Sequence, residues 1–236
     1  MGVAVAYTNG TALSALARVR ARRHFSRPMT SFLLLRHGET VWNRAGRLQG
    51  WQDSPLSEAG CAQAEALAAR LTGERVDLLV ASDLGRTRQT AAPIAARLGL
   101  DVVSDAGLRE RCYGELEGMT WAEIGHAHPT AYARLVARDA DYVVAGGESA
   151  TQFRDRVVAA LERLAREHPG ASVAVVTHGG VLGVVYRWAK DIPFELPRTF
   201  AIPNGGVNRV RIERRRWSID AWAETAHLPD AALDDE

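Results

Sequence analysis

The sequence is poor in cysteine. Only Cys61 and Cys112 occur in 236 residues, too few for a disulfide framework and without the spacing of a zinc site. Both read as buried small apolar residues of a protein from a reducing compartment, hence a cytoplasmic one. Neither charge is in excess: 29 Lys+Arg stand against 28 Asp+Glu, for a net charge of +1. A general nucleic-acid binder usually carries a basic surplus, so that class is excluded, although a local basic pocket is not. No apolar run approaches the roughly 20 residues that span a bilayer, so no membrane partner is expected. No H-E-x-x-H and no carboxylate cluster accompanies the histidines, which argues against a metallohydrolase. Internal repeats and low-complexity linkers are absent as well, apart from one strand pattern that occurs twice. What remains is 47% hydrophobic and 24% charged, the composition of an ordinary globular protein long enough for one good core with a small cap.

Residues 1–29 differ from the rest. They hold Arg18, Arg20, Arg22, Arg23 and Arg27 and no acid. An organelle transit peptide has that composition. The plainer reading is an N-terminal extension, disordered or preceding a true start at Met29. The folded domain is then 30–228, and 229–236 is an acidic tail.

The domain is organised around Phe32-Leu33-Leu34-Leu35-Arg36-His37-Gly38. A short apolar run bounded by turn signals reads as a strand buried on both faces. The same pattern returns as Val173-Ala174-Val175-Val176-Thr177-His178-Gly179. In open α/β sheets ligands bind just outside the C-terminal strand edge, so the two imidazoles are expected to face one site.

Between them, Ser57 caps a helix that runs to Gly73, with Ala64, Leu67, Ala68 and Leu71 on its apolar face and Leu56 stapled onto Cys61. Val76 to Ala81 is a strand that feeds a helix from about Arg86 to Leu98. Gly99 ends that helix, and Pro93 should kink or shorten it. Asp101 to Ser104 is a further strand. The β-α-β-α-β order implies a largely parallel sheet with helices on its faces. Residues 107–147 break the rhythm and read as an inserted lid, with helical pieces near 121–125 and 130–137. Ser149 and Gln152 form a capping box for the next helix. Asn208 to Ile212 and Trp217 to Trp222 alternate as a terminal hairpin.

Arg36, His37, Arg86 and His178 therefore converge as two guanidiniums and two imidazoles. Arginine donates a planar fork that matches phosphate, and Gly179 lets backbone amides at a helix start approach the same anion. A neutral imidazole can also attack phosphorus.

At this level the chain resembles the histidine phosphatase superfamily, which includes the cofactor-dependent phosphoglycerate mutases. Leu35-Arg36-His37-Gly38-Glu39-Thr40 with Asn43 is similar to its signature. Gly46-Arg47-Leu48-Gln49-Gly50, Pro55-Leu56-Ser57, Ser82-Asp83-Leu84 with Arg86, Leu108-Arg109-Glu110, Gly147-Glu148-Ser149 and Thr177-His178-Gly179 follow in family order. The resemblance implies a three-layer α/β/α sandwich with a mostly parallel mixed sheet of about six strands, one of them antiparallel. It implies His37 as the nucleophile that becomes phosphohistidine, and Arg36, Arg86 and His178, helped by Asn43, as holders of the phosphoryl oxygens. It implies Glu110 as the acid, with Glu115 and Glu117 close enough in sequence to compete. Glu39 reads equally as a group that orients the site or as a cap partner. No metal and no cofactor is implied. The partner is a small-molecule phosphate ester, and the protein is a monomer or homodimer.

The expected activity is metal-independent phosphomonoester hydrolysis. The alternative is a 2,3-bisphosphoglycerate-dependent phosphoglycerate mutase. In the mutases the segment between acid and second histidine looks longer, and Glu117-Gly118 resembles the phosphatase branch. A non-catalytic phospho-ligand binder should have lost one of Arg36, His37, Arg86 or His178, and all four are present.

Overall fold

The computed structural model describes residues 1–2 and 29–228. The expectations for the rest of the N-terminal extension and for the acidic tail lie outside the described residues. One six-stranded sheet is built from β1 (Thr30–Arg36), β2 (Leu78–Ala81), β3 (Val102–Ser104), β4 (Ser172–Thr177), β5 (Val207–Glu213) and β6 (Arg216–Glu224). Their spatial order is β3-β2-β4-β1-β5-β6. β1 pairs parallel with β4 and antiparallel with β5, so the sheet is mixed, with β5 running against the others.

Strand alternation separates two cores. Leu33 and Leu35 join Leu79, Ala174 and Val176 beneath α2 (Glu58–Leu71) and α3 (Gly85–Leu98). Phe32 and Leu34 join Val173 and Val175 beneath α6 (Ala150–Glu167) and α7 (Gly179–Lys190). These are the three layers expected. Short α1 (Val41–Arg44) follows β1, and the segment 107–147 carries α4 (Trp121–Ala127) and α5 (Pro129–Val136). Leu116, Ile124, Ala131 and Val144 give this segment a small core of its own. Among the described residues no helix is long and apolar enough to cross a membrane.

Local signals at the helix ends act as read. Ser57 Oγ accepts the Gly60 N–H at 3.0 Å. Ser149 and Gln152 close their reciprocal box at 3.1 and 2.9 Å. Gly99 ends α3 in the left-handed region at φ 66°. Two readings need correction. Pro93 does not shorten α3, which continues to Leu98. The carbonyl it frees belongs to Gln89, an exposed residue within reach of water, while Ala91 and Ile94 bury the opposite face. Cys61 is exposed, not buried. The buried stripe of α2 passes through Gly60, Ala64, Leu67, Ala68 and Leu71, and position 61 falls beside it, so no staple with Leu56 buries the thiol.

The decisive feature for function is register. Arg36 faces Thr177 across the parallel β1–β4 pair. The next residue on each strand is a histidine. Two identical strand ends thus deliver His37 and His178 side by side at one edge of the sheet.

Candidate active site

The His37 and His178 rings lie 5.3 Å apart between centroids, inclined at 63°. Both are buried. Gly38 allows this packing, because a Cβ there would stand 2.4 Å from the Gly60 carbonyl oxygen, so the strand edge rests directly on the first turn of α2. His37 Nδ1 lies 2.7 Å from the Gly38 carbonyl oxygen. A carbonyl only accepts, so Nδ1 carries the ring proton and Nε2 keeps its lone pair. His178 Nε2 lies 2.9 Å from Ser82 Oγ at the end of β2. Its Nδ1 is buried with no hydrogen-bond partner among the described residues, as is Arg86 Nε.

Arg86, in the first turn of α3, is 1% exposed. Its Nη1 donates to the Gln52 carbonyl at 2.9 Å and its Nη2 to the Gly50 carbonyl at 2.8 Å, with Asp53 Oδ1 at 3.2 Å from Nη1. The guanidinium is therefore held in place and also ties down the loop that follows α1. Arg36 donates to the Ile202 carbonyl, and a Cβ on Gly179 would come within 3.3 Å of Arg36 Nε. The glycine lets the guanidinium lie against the start of α7, where helix N–H groups favour an anion. Asn43 lines the same cleft, while its Oδ1 accepts the Thr40 N–H at 3.0 Å in the capping box of α1.

Glu110 comes from the segment that follows β3. Its Oε2 accepts the Gly180 N–H at 2.8 Å and its Oε1 the Arg111 N–H at 2.8 Å. A Cβ on Gly180 would stand 2.1 Å from Glu110 Oε1, so this carboxyl occupies the space a side chain would fill. The competing acids are engaged elsewhere. Glu117 accepts the Trp51, Gln52 and Tyr113 N–H groups at 2.8–2.9 Å. Glu115 is exposed beside His128. Glu39 accepts the Ser57 hydroxyl at 2.5 Å and works within the cap. His126 is exposed on the last turn of α4. The cleft has a volume of about 700 Å³, within the range of small-molecule sites. Arg36, His37, Asn43, Arg86, Glu110 and Gly179 all line it, with His178 packed behind His37.

A family model for the histidine phosphatase superfamily, branch 1, matches residues 32–225. The chain belongs to the histidine phosphatase superfamily. A metal-independent phosphoserine phosphatase of Arabidopsis thaliana is 39% identical over 203 residues, which span 85% of this chain and 84% of that protein. Phosphoglycerate mutase-like protein 4 of the same plant is 36% identical over 205 residues, 85% of this chain and 88% of that protein. The solved structure of Bacillus stearothermophilus YhfR matches with a TM-score of 0.78 at 30% identity, covering 84% of this chain and 99% of that one.

Several residues of this candidate site were not legible as parts of it. Ser82 sits in a family block, but only the sheet order shows that it meets His178. Asn204 donates to the His37 carbonyl at 3.0 Å across 167 residues of sequence. Arg156 of α6 donates to the carbonyls of Gly107, Arg109 and Glu110 at 3.0–3.1 Å and pairs with Glu148, which accepts the Cys112 N–H at 2.9 Å. Trp51 Nε1 donates to the Glu110 carbonyl at 2.9 Å.

Two predictions follow from this packing. Burial, then the charges of Arg86 and Arg36, push His37 well below its ordinary value of 6.5. Burial, then Arg86, His37 and Arg36, do the same to His178. The unfolded chain therefore binds more protons than the folded one below about pH 6.5. These two groups leave stability level above that pH and remove it as pH falls towards their folded values. The slope is up to about 1.4 kcal/mol per pH unit for each histidine. Urea midpoints measured at about pH 7.5 and about pH 5.5 should show the fall, and His178→Gln should show a smaller one. An unchanged slope in that variant would disprove the assignment.

Gly180→Ala isolates the carboxyl's position. Alanine is favoured over glycine within helices by up to about 1 kcal/mol, so melting temperature should hold or rise. The methyl must nevertheless displace the Glu110 carboxyl, and misplacement of a reacting group by about 1 Å costs on the order of 10²-fold in rate. A variant with both normal stability and normal kcat would show that the Glu110 contact is irrelevant to turnover.

Proposed function

We propose that this enzyme hydrolyses small phosphate monoesters without a metal, through a phosphohistidine on His37. The observation that carries the reading is the pairing of an imidazole whose Nδ1 is committed to the Gly38 carbonyl with buried donors converging beside it. His37 Nε2 attacks phosphorus, and the ester P–O bond breaks. Glu110 gives its proton to the leaving oxygen. Water then attacks phosphorus, Glu110 takes back a proton, the P–N bond breaks, and the electron pair returns to Nε2. Arg36, Arg86 and His178 Nδ1–H stabilise the equatorial oxygens, where positioning and electrostatics supply most of the rate. Ser82 donates its hydroxyl proton to His178 Nε2, which keeps the imidazole's own proton on Nδ1. Asn43 and Gly179 complete the anion cradle. The lid over residues 107–147 supplies the acid and one wall.

We favour hydrolysis over phosphoryl return because side chains that line the cleft are open to solvent. Trp121, Tyr132 and Val136 line it and are 41%, 38% and 58% exposed. The relatives divide between the same two activities by name, so the test is direct. Purified protein with excess chelator is given phosphoserine, other phosphomonoesters, and 3-phosphoglycerate with a bisphosphate primer. Release of inorganic phosphate with little 2-phosphoglycerate supports the phosphatase. Interconversion of the phosphoglycerates without phosphate release would establish the mutase.

A further inference from the structure

The cleft extends well past the phosphoryl site along one face of α7. Gly180, Gly183, Val184 and Arg187 all line it, the spacing of a single helix face. Gly180 carries the Glu110 carboxyl. Arg187 lies seven residues on, about 10 Å along the axis. The two glycines and a valine make a shallow floor between them. Phe153, Phe200 and Ile202 form an apolar wall.

Arg187, Arg138 and Arg198 line the same cleft, and the charges of Arg138 and Arg198 act on Arg187. Arg187 is 9% exposed, and its guanidinium lies 5.9 and 5.8 Å from the Phe194 and Phe200 ring centres. Its Nη1 and Nη2 donate to the neutral carbonyls of Pro193 and Leu196 at 2.6 and 2.7 Å. Among the described residues no carboxylate forms an ion pair with it. Burial, then the charge of Arg138, lowers its proton affinity; Glu195 opposes this, and Arg198 adds to it. Arg187 lies seven residues beyond Gly180 on α7, so these cations stand apart from the phosphoryl site along the same cleft.

Arg138 adds an independent sign. It occupies a left-handed position at φ 54° just beyond α5, with its N–H on the Leu135 carbonyl and the Asp139 N–H on the Arg134 carbonyl. Glycine is the usual residue at such a helix terminus. An arginine there accepts backbone strain at a position whose side chain lines the cleft, and such strain is commonly found at functional sites.

We propose that Arg138, Arg187 and Arg198 bind a second anionic group at the far end of the substrate. The preferred substrate class is then a phosphate monoester whose leaving group is elongated, partly apolar, and terminated by a carboxylate or a second phosphate. This rests on the phosphatase reading. Arginine forks recognise either anion, and the apolar stretch between the two charged ends suits a chain or ring rather than a bare phosphorylated diol.

The probes are a homologous series of ω-phosphooxyalkanoic acids, their neutral methyl esters, and the matching α,ω-bisphosphates. Leaving-group chemistry is constant across each pair, so the ratio of kcat/KM for acid over ester reads the second anion alone. At the best length this ratio should reach on the order of tenfold or more. Arg138→Gly suits the left-handed backbone, and it should cut the ratio severalfold, as should Arg198→Gln. Arg138→Lys should restore part of it. Preference for the bisphosphates over the acids, or the reverse, identifies which anion the centre takes. A ratio near one at every length in both series, or a ratio unchanged in the Arg138→Gly and Arg198→Gln double variant, overturns the proposal while leaving the phosphatase intact. If neither acids nor esters are hydrolysed, the phosphatase reading fails and this centre fails with it.

Discussion

His37→Ala is expected to lower hydrolysis of p-nitrophenyl phosphate by about 10⁴-fold or more, the scale seen when a covalent nucleophile is removed, while the protein stays folded. The fold should survive because the backbone at this position is anchored without the side chain. The His37 N–H donates to the Thr177 carbonyl at 2.9 Å, and its own carbonyl accepts Asn204 Nδ2 at 3.0 Å. Removing one imidazole from the strand edge leaves the two apolar cores untouched, since neither contains it. Near-ultraviolet circular dichroism and a urea midpoint would confirm folding. A labelled phosphoryl group should be trapped on the wild type by rapid quench, stable in base and lost in acid as a phosphoramidate is, and should be missing from the variant. Wild-type turnover in a folded His37→Ala protein would sink the nucleophile assignment. Label that persisted would move the nucleophile to His178, whose Nδ1 faces no other partner among the described residues. The experiment thus separates two histidines that the sheet presents side by side.

What could be read before the structure was whatever short-range chemistry dictates. The β1 and β4 segments are apolar on both faces and end in the same dipeptide, so their burial and the position of their histidines followed from local pattern. The Ser57 and Ser149 caps lie three residues from the groups they engage, and a three-residue relation survives any tertiary context. The errors lie where position around a helix or access to water decides. Cys61 is apolar enough for a core, but the arc of α2 turns it outward. Pro93 breaks a ladder whose freed carbonyl water can satisfy, so the helix continues. The supporting residues were hidden for a different reason. Asn204 to His37, Ser82 to His178, and Arg156 to the Glu110 carbonyl bridge separations of 167, 96 and 46 residues. Such contacts exist only once β2, β4 and β1 adjoin and α6 packs over them. Arginine and asparagine in a sequence look alike whether they are solvated or inserted behind a catalytic strand. The glycines carried more than they revealed. Gly180 reads as the second glycine of a pair, and only the fold brings a carboxyl into the space of its missing side chain.

Glu110→Gln should split the reaction into a spared half and a damaged half. Its carboxyl now takes two backbone N–H groups, from Gly180 and Arg111. An amide can accept only one of them with its oxygen, so the variant keeps the size of the side chain, loses its proton chemistry and loosens its seat. For an alkyl phosphate the departing alkoxide needs a proton, and the loss of a general acid typically costs 10²- to 10⁴-fold. For p-nitrophenyl phosphate the phenolate leaves unaided, so transfer to His37 should slow by roughly tenfold or less, the part due to altered seating. Water must still lose a proton as it attacks the phosphohistidine, whichever ester supplied it. Stopped-flow mixing of the variant with p-nitrophenyl phosphate should therefore show a burst of nitrophenol near one equivalent of enzyme, followed by slow turnover limited by dephosphorylation. Alkyl esters should show no burst, because their first step is the slow one. The wild type should show a smaller burst or none. Equal slowing of the first step for good and poor leaving groups would argue against Glu110 as the acid. The role would then fall to a group outside this carboxyl, because Glu117 is held by three backbone N–H groups and Glu115 lies in solvent beside His128. Hydroxylamine, a better nucleophile than water at neutral pH, should speed the slow phase of the variant more than that of the wild type. Such rescue is expected if the missing function is activation of water, and a simple distortion of the pocket would not produce it.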